Sequence, residues 1–129
     1  MINQSLKNKK IIISAGASGI GLATAKVCLS RGAYVYLCDV DNKSLNKLNK
    51  HSLKNKRLFT FNCDASDESQ VSDLFKKIVK KTKKIDALIN NVGIAGPTGS
   101  LDKLNSKDWE RTIQVDVNSH FYFTKKAIP

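Results

Sequence analysis

The sequence has few of the residues that mark secreted or metal-binding proteins. Its 129 residues include three cysteines and two prolines, and aromatic residues make up 7% of the chain. The cysteines stand singly in apolar or strand-like stretches, with the spacing of neither a metal site nor a disulfide framework. They are Cys28, Cys38 and Cys63. We therefore expect reduced core thiols in a cytoplasmic protein, and no metal site.

Long apolar runs are also missing. No run approaches the ~20 residues that a membrane-spanning helix needs, and the first ten residues lack the apolar segment of a signal peptide. We therefore expect no membrane partner. Hydrophobic residues nevertheless make up 41% of the chain, which is enough for a folded core. The length corresponds to one domain or to part of one.

Arginine is scarce although the net charge is high. The formal net charge is +11, but arginine occurs only at positions 31, 57 and 111. The lysines are spread over predicted helix faces and loops, and no aromatic residues alternate with a basic cluster. This pattern favours solvated lysine-rich surfaces over a nucleic-acid site, so we predict no nucleic-acid partner.

The most informative stretch joins an apolar run to a turn of small residues. Three consecutive isoleucines, at positions 11–13, predict a strand that is buried on both faces. A helix that begins at Gly19 would direct its free N–H groups and positive dipole end toward a ligand, a geometry suited to phosphate. A tight turn in which glycine serves only close packing is the alternative.

An acid downstream favours the phosphate-binding interpretation. A second apolar run, at residues 34–38, ends at Asp39, which lies 18 residues beyond Gly21. A dinucleotide-binding unit places an acid about 20 residues beyond its glycines, at the tip of the second strand, to accept ribose hydroxyls. Strand, turn, helix, strand and acid thus agree in order and spacing.

The rest of the chain continues the alternation of strands and helices. We predict strands at residues 10–14, 34–39, 57–62 and 85–90. We predict helices at residues 19–31 and 43–53, a third helix that starts at Ser66, and one long helix over residues 106–128. This order predicts an α/β fold with a doubly wound parallel sheet. Polar residues follow all four strands, which predicts a ligand site at their carboxyl ends. These residues are Ser14, Asp39, Asp64 and the pair Asn90-Asn91. For Asp64, capping of the following helix is the alternative.

Together these motifs resemble the classical short-chain dehydrogenases/reductases, over residues 11–129. The family's Thr-Gly, three residues, Gly-x-Gly signature corresponds to residues 14–21, and its Asn-Asn-Ala-Gly signature to residues 90–93. An acid after the third strand matches Asp64. The helix that carries Trp109 and Phe121 is similar to the family's fourth major helix.

The resemblance implies a Rossmann-type sheet with strand order 3-2-1-4 and further strands in the complete protein. It also implies that the backbone near Ser18 holds the pyrophosphate of NAD, that Asp39 binds the adenosine ribose, and that Asp64 and Ala65 face the adenine. Asp39 would repel the 2′-phosphate of NADP, so we expect a preference for NAD. The residues implied to bind the cofactor are Ser14, Ala15, Ser18, Gly19, Ile20, Gly21, Asp39, Val40, Asp64, Ala65, Asn91 and Gly93. The implied substrate is a small alcohol or carbonyl compound.

Two positions depart from the family pattern. Ala15 stands where the family usually has its first glycine; a positive φ there would cost roughly 1–2 kcal/mol, whereas a negative φ would be harmless. Asp116 stands where the family usually has its catalytic asparagine. Asn118 lies two residues further on, about 200° around a regular helix, so it cannot replace residue 116 without a local distortion.

In the family, the catalytic Ser and Tyr-x-x-x-Lys lie further along the chain than the position that corresponds to residue 129. We therefore expect residues 1–129 to be the NAD(P)-binding part of a longer enzyme, truncated before the catalytic segment and inactive by itself. The full-length protein is expected to be a homo-oligomer. The alternatives are a non-catalytic nucleotide-binding module and part of a methyltransferase that uses S-adenosylmethionine.

Overall fold

The protein forms a four-stranded parallel sheet with helices on both faces. The computed structural model describes residues 5–52 and 55–129. The strands are β1 (Lys10–Ser14), β2 (Tyr34–Asp39), β3 (Leu58–Asn62) and β4 (Ala87–Ile89). The helices are α1 (Gly19–Ser30), α2 (Asn42–Ser52), α3 (Glu68–Val79), α4 (Ser106–Ile113) and α5 (Ser119–Ala127). None of the helices among these residues is long and apolar enough to cross a membrane.

The order of the strands is β3-β2-β1-β4, and all neighbouring pairs are parallel. The predicted doubly wound sheet with order 3-2-1-4 is confirmed. Each face of the sheet carries its own hydrophobic core. Ile12 belongs to the core beneath α3 and α5, whereas Ile11 and Ile13 belong to the core beneath α1 and α2. The three isoleucines are therefore buried because alternate side chains of β1 enter opposite cores.

Most predicted elements are found with shifted ends. The third strand begins at Leu58, and the fourth is limited to Ala87–Ile89. The second helix is described only to Ser52, so its predicted end at residue 53 lies outside the described residues. All three cysteines are buried, as expected of core thiols.

The first and third helices each show a feature that their sequences did not indicate. In the first helix, Ile20 and Val27 are exposed, and the buried residues are Gly21, Ala25 and Cys28. The helix turns its small residues toward the sheet because they permit a close approach. The third helix is capped by Asp67 rather than Ser66, since the Asp67 side chain accepts hydrogen bonds from the first-turn N–H groups of residues 69 and 70.

The predicted single helix over residues 106–128 is helical from Ser106 to Ala127, but it is not a regular α-helix throughout. Asn105 caps α4, and a π-helical turn, Gln114–Asn118, separates α4 from α5. This turn contains both Asp116 and Asn118.

Candidate cofactor site

The turn after β1 carries two left-handed residues. Ala15 has φ 52° and Gly19 has φ 54°. A Cβ built on Gly19 would meet nothing within 4 Å, so this position needs glycine for its backbone angle and leaves open space in front of the helix. The side chain of Ser18, at the N-cap of α1, makes no capping hydrogen bond. This side chain therefore does not compete with a ligand for the first N–H groups of α1.

Gly21 serves close packing. A Cβ at this position would lie 2.4 Å from the Ala15 carbonyl oxygen and 2.6 Å from Asn91 Nδ2. The Asn91 side-chain amide donates to that same carbonyl at 3.0 Å, and the Asn91 backbone N–H donates to Ser14 Oγ at 3.0 Å. Ser14 and Asn91 therefore fasten the end of β4 to the glycine turn, and Gly21 leaves the space for that contact.

Asp39 lies at the tip of β2, next to the same turn. The residue is 9% exposed. One carboxylate oxygen accepts from the Ala17 N–H at 3.1 Å, and the other accepts from the Asp41 N–H at 3.0 Å. Because both oxygens accept from backbone donors, the carboxylate is fixed in place beside the first helix.

A cleft of about 250 Å³ opens beyond the carboxyl ends of the strands. Seven of the predicted cofactor residues line it: Ala15, Ser18, Asp39, Val40, Asp64, Ala65 and Gly93. The predicted residues Ser14, Ile20, Gly21 and Asn91 are not in its wall; Ser14 is fully buried and Ile20 is exposed. Gly19 lines a neighbouring cavity between α1 and α2. The structure thus places the strand-end residues of β2, β3 and β4 around one cleft.

Asp64 follows β3 and remains ionised in this cleft. Its Oδ1 accepts from the Ser66 N–H at 2.9 Å and from the Ser66 hydroxyl at 2.6 Å. Burial acts to raise the pKa of Asp64, but the two bonds from Ser66 and the charge of Arg111 outweigh it and hold the pKa below its ordinary value. The alternative that Asp64 caps the following helix is wrong, because Asp67 does so.

Asp116 lies in the π-helical turn and contacts the loop after β4. Its Oδ1 accepts from the Ile94 N–H at 2.8 Å, and a Cβ on Gly93 would lie 3.7 Å from that oxygen. Asn118 instead donates to the Gln114 side chain, four residues earlier. The helix is locally distorted, but the distortion leaves Asp116 at the loop and does not bring Asn118 there.

Several residues of the cleft wall were not anticipated from the sequence. Arg111, from α4, lines the cleft together with Cys38, Cys63, Val92, Ile94 and Val115. Arg111 Nη1 donates to Ser66 Oγ at 2.8 Å. These partners are 45 residues apart, so no local spacing marks the contact; its only signal in the sequence is the scarcity of arginine.

The sheet order, the glycine turn and the acid at the tip of β2 define a Rossmann-type nucleotide-binding fold. The chain matches the short chain dehydrogenase family over residues 9–129. It therefore belongs to that family, which consists of oxidoreductases. This membership removes the methyltransferase alternative.

Individual relatives agree with this assignment. The chain is 32% identical over 127 residues to a CLA biosynthesis dehydrogenase/reductase of Lactiplantibacillus plantarum, covering 98% of this chain and 44% of that protein. It is similar to a 3-ketoacyl-(acyl-carrier-protein) reductase from Brucella melitensis complexed with NADH, with TM-score 0.88 and 26% identity, covering 97% of this chain and 50% of the other. It is also similar in fold to a Pseudomonas aeruginosa RhlG/NADP active-site complex, with TM-score 0.86 and 24% identity, covering 97% and 48%. The chain thus spans about half the length of these proteins.

Proposed function

We propose that this chain is the cofactor-binding part of an NAD-preferring short-chain dehydrogenase/reductase. The complete protein would transfer a hydride between nicotinamide and a small alcohol or carbonyl substrate. The observation that carries the NAD preference is the fixed Asp39 carboxylate in the wall of the cleft, beside the glycine turn. Neither Ser18 nor Val40, which line the cleft beside it, supplies a cation for a 2′-phosphate.

The residues of the cleft and of the adjoining glycine turn fit a dinucleotide. The left-handed Gly19 leaves open space before α1, so the first N–H groups of that helix, at Gly19 and Ile20, would hold the pyrophosphate. Asp39 and Val40 would hold the adenosine ribose, and Asp64 and Ala65 would face the adenine. Gly93 would border the nicotinamide end, with Asn91 holding that loop against the turn. When bound, the nicotinamide supplies the hydride acceptor or donor.

The test of the NAD preference is a pair of matched acid-to-amide variants. We expect the full-length protein to bind NADH at least about tenfold more tightly than NADPH, because an uncompensated like-charge contact costs more than ~1.4 kcal/mol. Asp39→Asn should shrink that ratio by removing the repulsion. Asp41→Asn is the control, since Asp41 is exposed and its contacts to Lys43 and Ser44 lie at the start of α2. Equal affinity for NADH and NADPH in the unaltered protein would contradict the proposal.

A second candidate is a non-catalytic nucleotide-binding module. It is favoured by one observation: the single tyrosine among residues 1–129 with a lysine four positions later, Tyr122 with Lys126, packs against the core beneath α3 and α5 and does not line the cleft. We propose that residues 1–129 bind NADH and NAD⁺ but do not oxidise an alcohol with NAD⁺, and that a polypeptide with the family's Ser, Tyr and Lys does so. Assays of alcohol oxidation on both polypeptides separate the two candidates. Measurable turnover by residues 1–129 alone would refute the proposal that this part of the protein binds the cofactor but lacks the catalytic residues.

We also propose that the full-length protein is a homo-oligomer. Trp109, Ile113, Val117 and Phe121 repeat at intervals of four residues through α4, the π-helical turn and α5, and all four are exposed. Exposed apolar stripes of this kind mark protein interfaces. A second copy of the same helical segment would bury them. Sedimentation of the full-length protein tests the proposal.

A further inference from the structure

A chain of hydrogen bonds links the helix α4 to the carboxylate of Asp64. Arg111 Nη1 donates to the hydroxyl of Ser66 at 2.8 Å. That hydroxyl donates to Asp64 Oδ1 at 2.6 Å, and the Ser66 backbone N–H donates to the same oxygen at 2.9 Å. Ser66 is 6% exposed, so its hydroxyl has little access to water. The guanidinium of Arg111 therefore fixes the direction in which the hydroxyl donates.

The segment that carries Ser66 is also fixed from a second direction. Gln114 Nε2 donates to the Ser66 carbonyl oxygen at 2.6 Å and to the hydroxyl of Tyr122 at 3.2 Å. Both Arg111 and Gln114 come from the helical segment after the β4 loop, whereas Ser66 follows β3. The two bonds hold the backbone at residue 66 in one position, which makes the geometry at Asp64 well defined.

The bonds from Ser66 occupy one carboxylate oxygen of Asp64 and leave the other oxygen able to accept from a ligand. Both donors of Ser66 point at Oδ1 of Asp64, and no donor from the described part of the chain is bonded to Oδ2. Asp64, Ala65 and Arg111 line the same cleft. The charge of Arg111 and the bonds from Ser66 overcome the effect of burial and keep the pKa of Asp64 below its ordinary value, so the carboxylate is an acceptor at neutral pH.

We propose that Arg111 is a positioning residue that acts through Ser66 to direct the free oxygen of Asp64 toward the exocyclic amine of a purine. This inference rests on the proposed function, in which Asp64 faces the adenine of the dinucleotide. It adds to that role the two residues that position the carboxylate, Arg111 and Ser66. A hydrogen bond to a charged acceptor is strong enough for a preference of about tenfold.

The test compares two cofactors that differ at that one group. NADH carries the adenine amine, whereas reduced nicotinamide hypoxanthine dinucleotide carries a carbonyl oxygen in its place. We expect the full-length protein to bind NADH about tenfold more tightly than the hypoxanthine form, and Asp64→Asn to remove most of that preference. Arg111→Ala and Ser66→Ala should each reduce the ratio about threefold or more, mainly through weaker NADH binding. Arg111→Lys, which keeps a cationic donor, should retain more of the ratio than Arg111→Ala.

The ratio of the two affinities distinguishes positioning from general damage to the fold. A merely structural role of Arg111 or Ser66 would weaken both dinucleotides in parallel and leave the ratio unchanged. Arg31→Ala is the charge control, because Arg31 lies at the far end of α1 and outside the cleft wall. An unchanged ratio in both Arg111→Ala and Ser66→Ala would overturn the positioning role of Arg111 and leave the proposed function standing. Failure of the unaltered protein to bind either dinucleotide would overturn the proposed function and this inference with it.

Discussion

The backbone at Ala15 stores strain that glycine would relieve. Its φ of 52° lies in the left-handed region, which costs a residue with a Cβ roughly 1–2 kcal/mol. Glycine gains more conformational entropy on unfolding, which offsets about 0.5–1 kcal/mol of that relief. We therefore expect Ala15→Gly to raise the free energy of unfolding by about 0.5–1 kcal/mol in denaturant titrations.

Ala17 offers a matched control for this substitution. It lies in the same turn, is buried, and is not among the described residues with positive φ. Ala17→Gly should therefore lower the free energy of unfolding by roughly 0.5–1 kcal/mol. If Ala15→Gly lowers stability as much as Ala17→Gly, the strain at Ala15 is absent.

The sequence left the sign of φ at Ala15 open, and the reason is tertiary. Gly16 is the glycine next to this position, yet it is Ala15 that adopts the left-handed angle. Gly16 is needed for another purpose: a Cβ there would lie 2.7 Å from Leu37 Cβ in the neighbouring strand. Which of two adjacent small residues takes which role depends on β2, and no local pattern records it.

Gly21 and Gly93 form a second matched pair. A Cβ at Gly21 would lie 2.4 Å from the Ala15 carbonyl oxygen, a distance that forces backbone movement, whereas a Cβ at Gly93 would make an ordinary 3.7 Å contact with Asp116. We expect Gly21→Ala to lower the free energy of unfolding by about 2 kcal/mol or more, and Gly93→Ala by less than about 1 kcal/mol. Thermal melts of the two variants check this, and similar losses would contradict the packing role of Gly21.

Among the elements, the helical segment after the β4 loop departs furthest from what periodicity predicts. Its sequence reads as one continuous helix, yet a π-helical turn separates α4 from α5. Insertions of this kind are frequent at functional sites. Here the turn carries Asp116, which accepts from the Ile94 N–H, a contact across 22 residues that a helical pattern does not encode.

This contact makes a prediction about Asp116. Asp116→Ala removes the acceptor for the Ile94 N–H and should lower the free energy of unfolding by about 1 kcal/mol. Asp116→Asn keeps an acceptor oxygen and restores the residue usual in the family, so its stability should stay within about 0.5 kcal/mol of the unaltered protein. Equal losses in denaturant titrations of the two variants would show that the hydrogen bond contributes nothing.

The turn that leads into α3 should respond to acid. Burial acts to raise the pKa of Asp64, but the Ser66 bonds and Arg111 lower it overall, so the folded state binds the proton less readily than the unfolded state. The resulting stabilisation is fully present above the ordinary aspartate pKa of about 4 and is lost as the pH falls below it. In denaturant titrations, the free energy of unfolding of Asp64→Asn should therefore fall less steeply below about pH 4 than that of the unaltered protein. A curve unchanged in shape would contradict the shift.

At the scale of the whole molecule, the alternation of strands and helices around the glycine turn predicted the parallel sheet, and the resemblance to the family predicted its strand order. The cleft follows from that order, since the carboxyl ends of β1, β2, β3 and β4 meet at one edge. The sequence did not predict contacts between distant segments, such as the hydrogen bond from Arg111 to Ser66. Those depend on how the helices pack, which no single motif determines.

The same organisation predicts that residues 1–129 associate when isolated. Among the described residues β4 is an edge strand that pairs only with β1, and an uncovered apolar edge invites pairing with another chain. Val117 and Phe121 are exposed on the helical segment, at 54% and 59%. We therefore expect sedimentation of this polypeptide to show association or aggregation, and its thermal transition to be broad. Val117→Lys with Phe121→Glu should reduce the association, whereas Lys76→Glu on the solvent side of α3 should not. A monodisperse monomer with a sharp cooperative melt would show that these surfaces need no cover for the chain to fold.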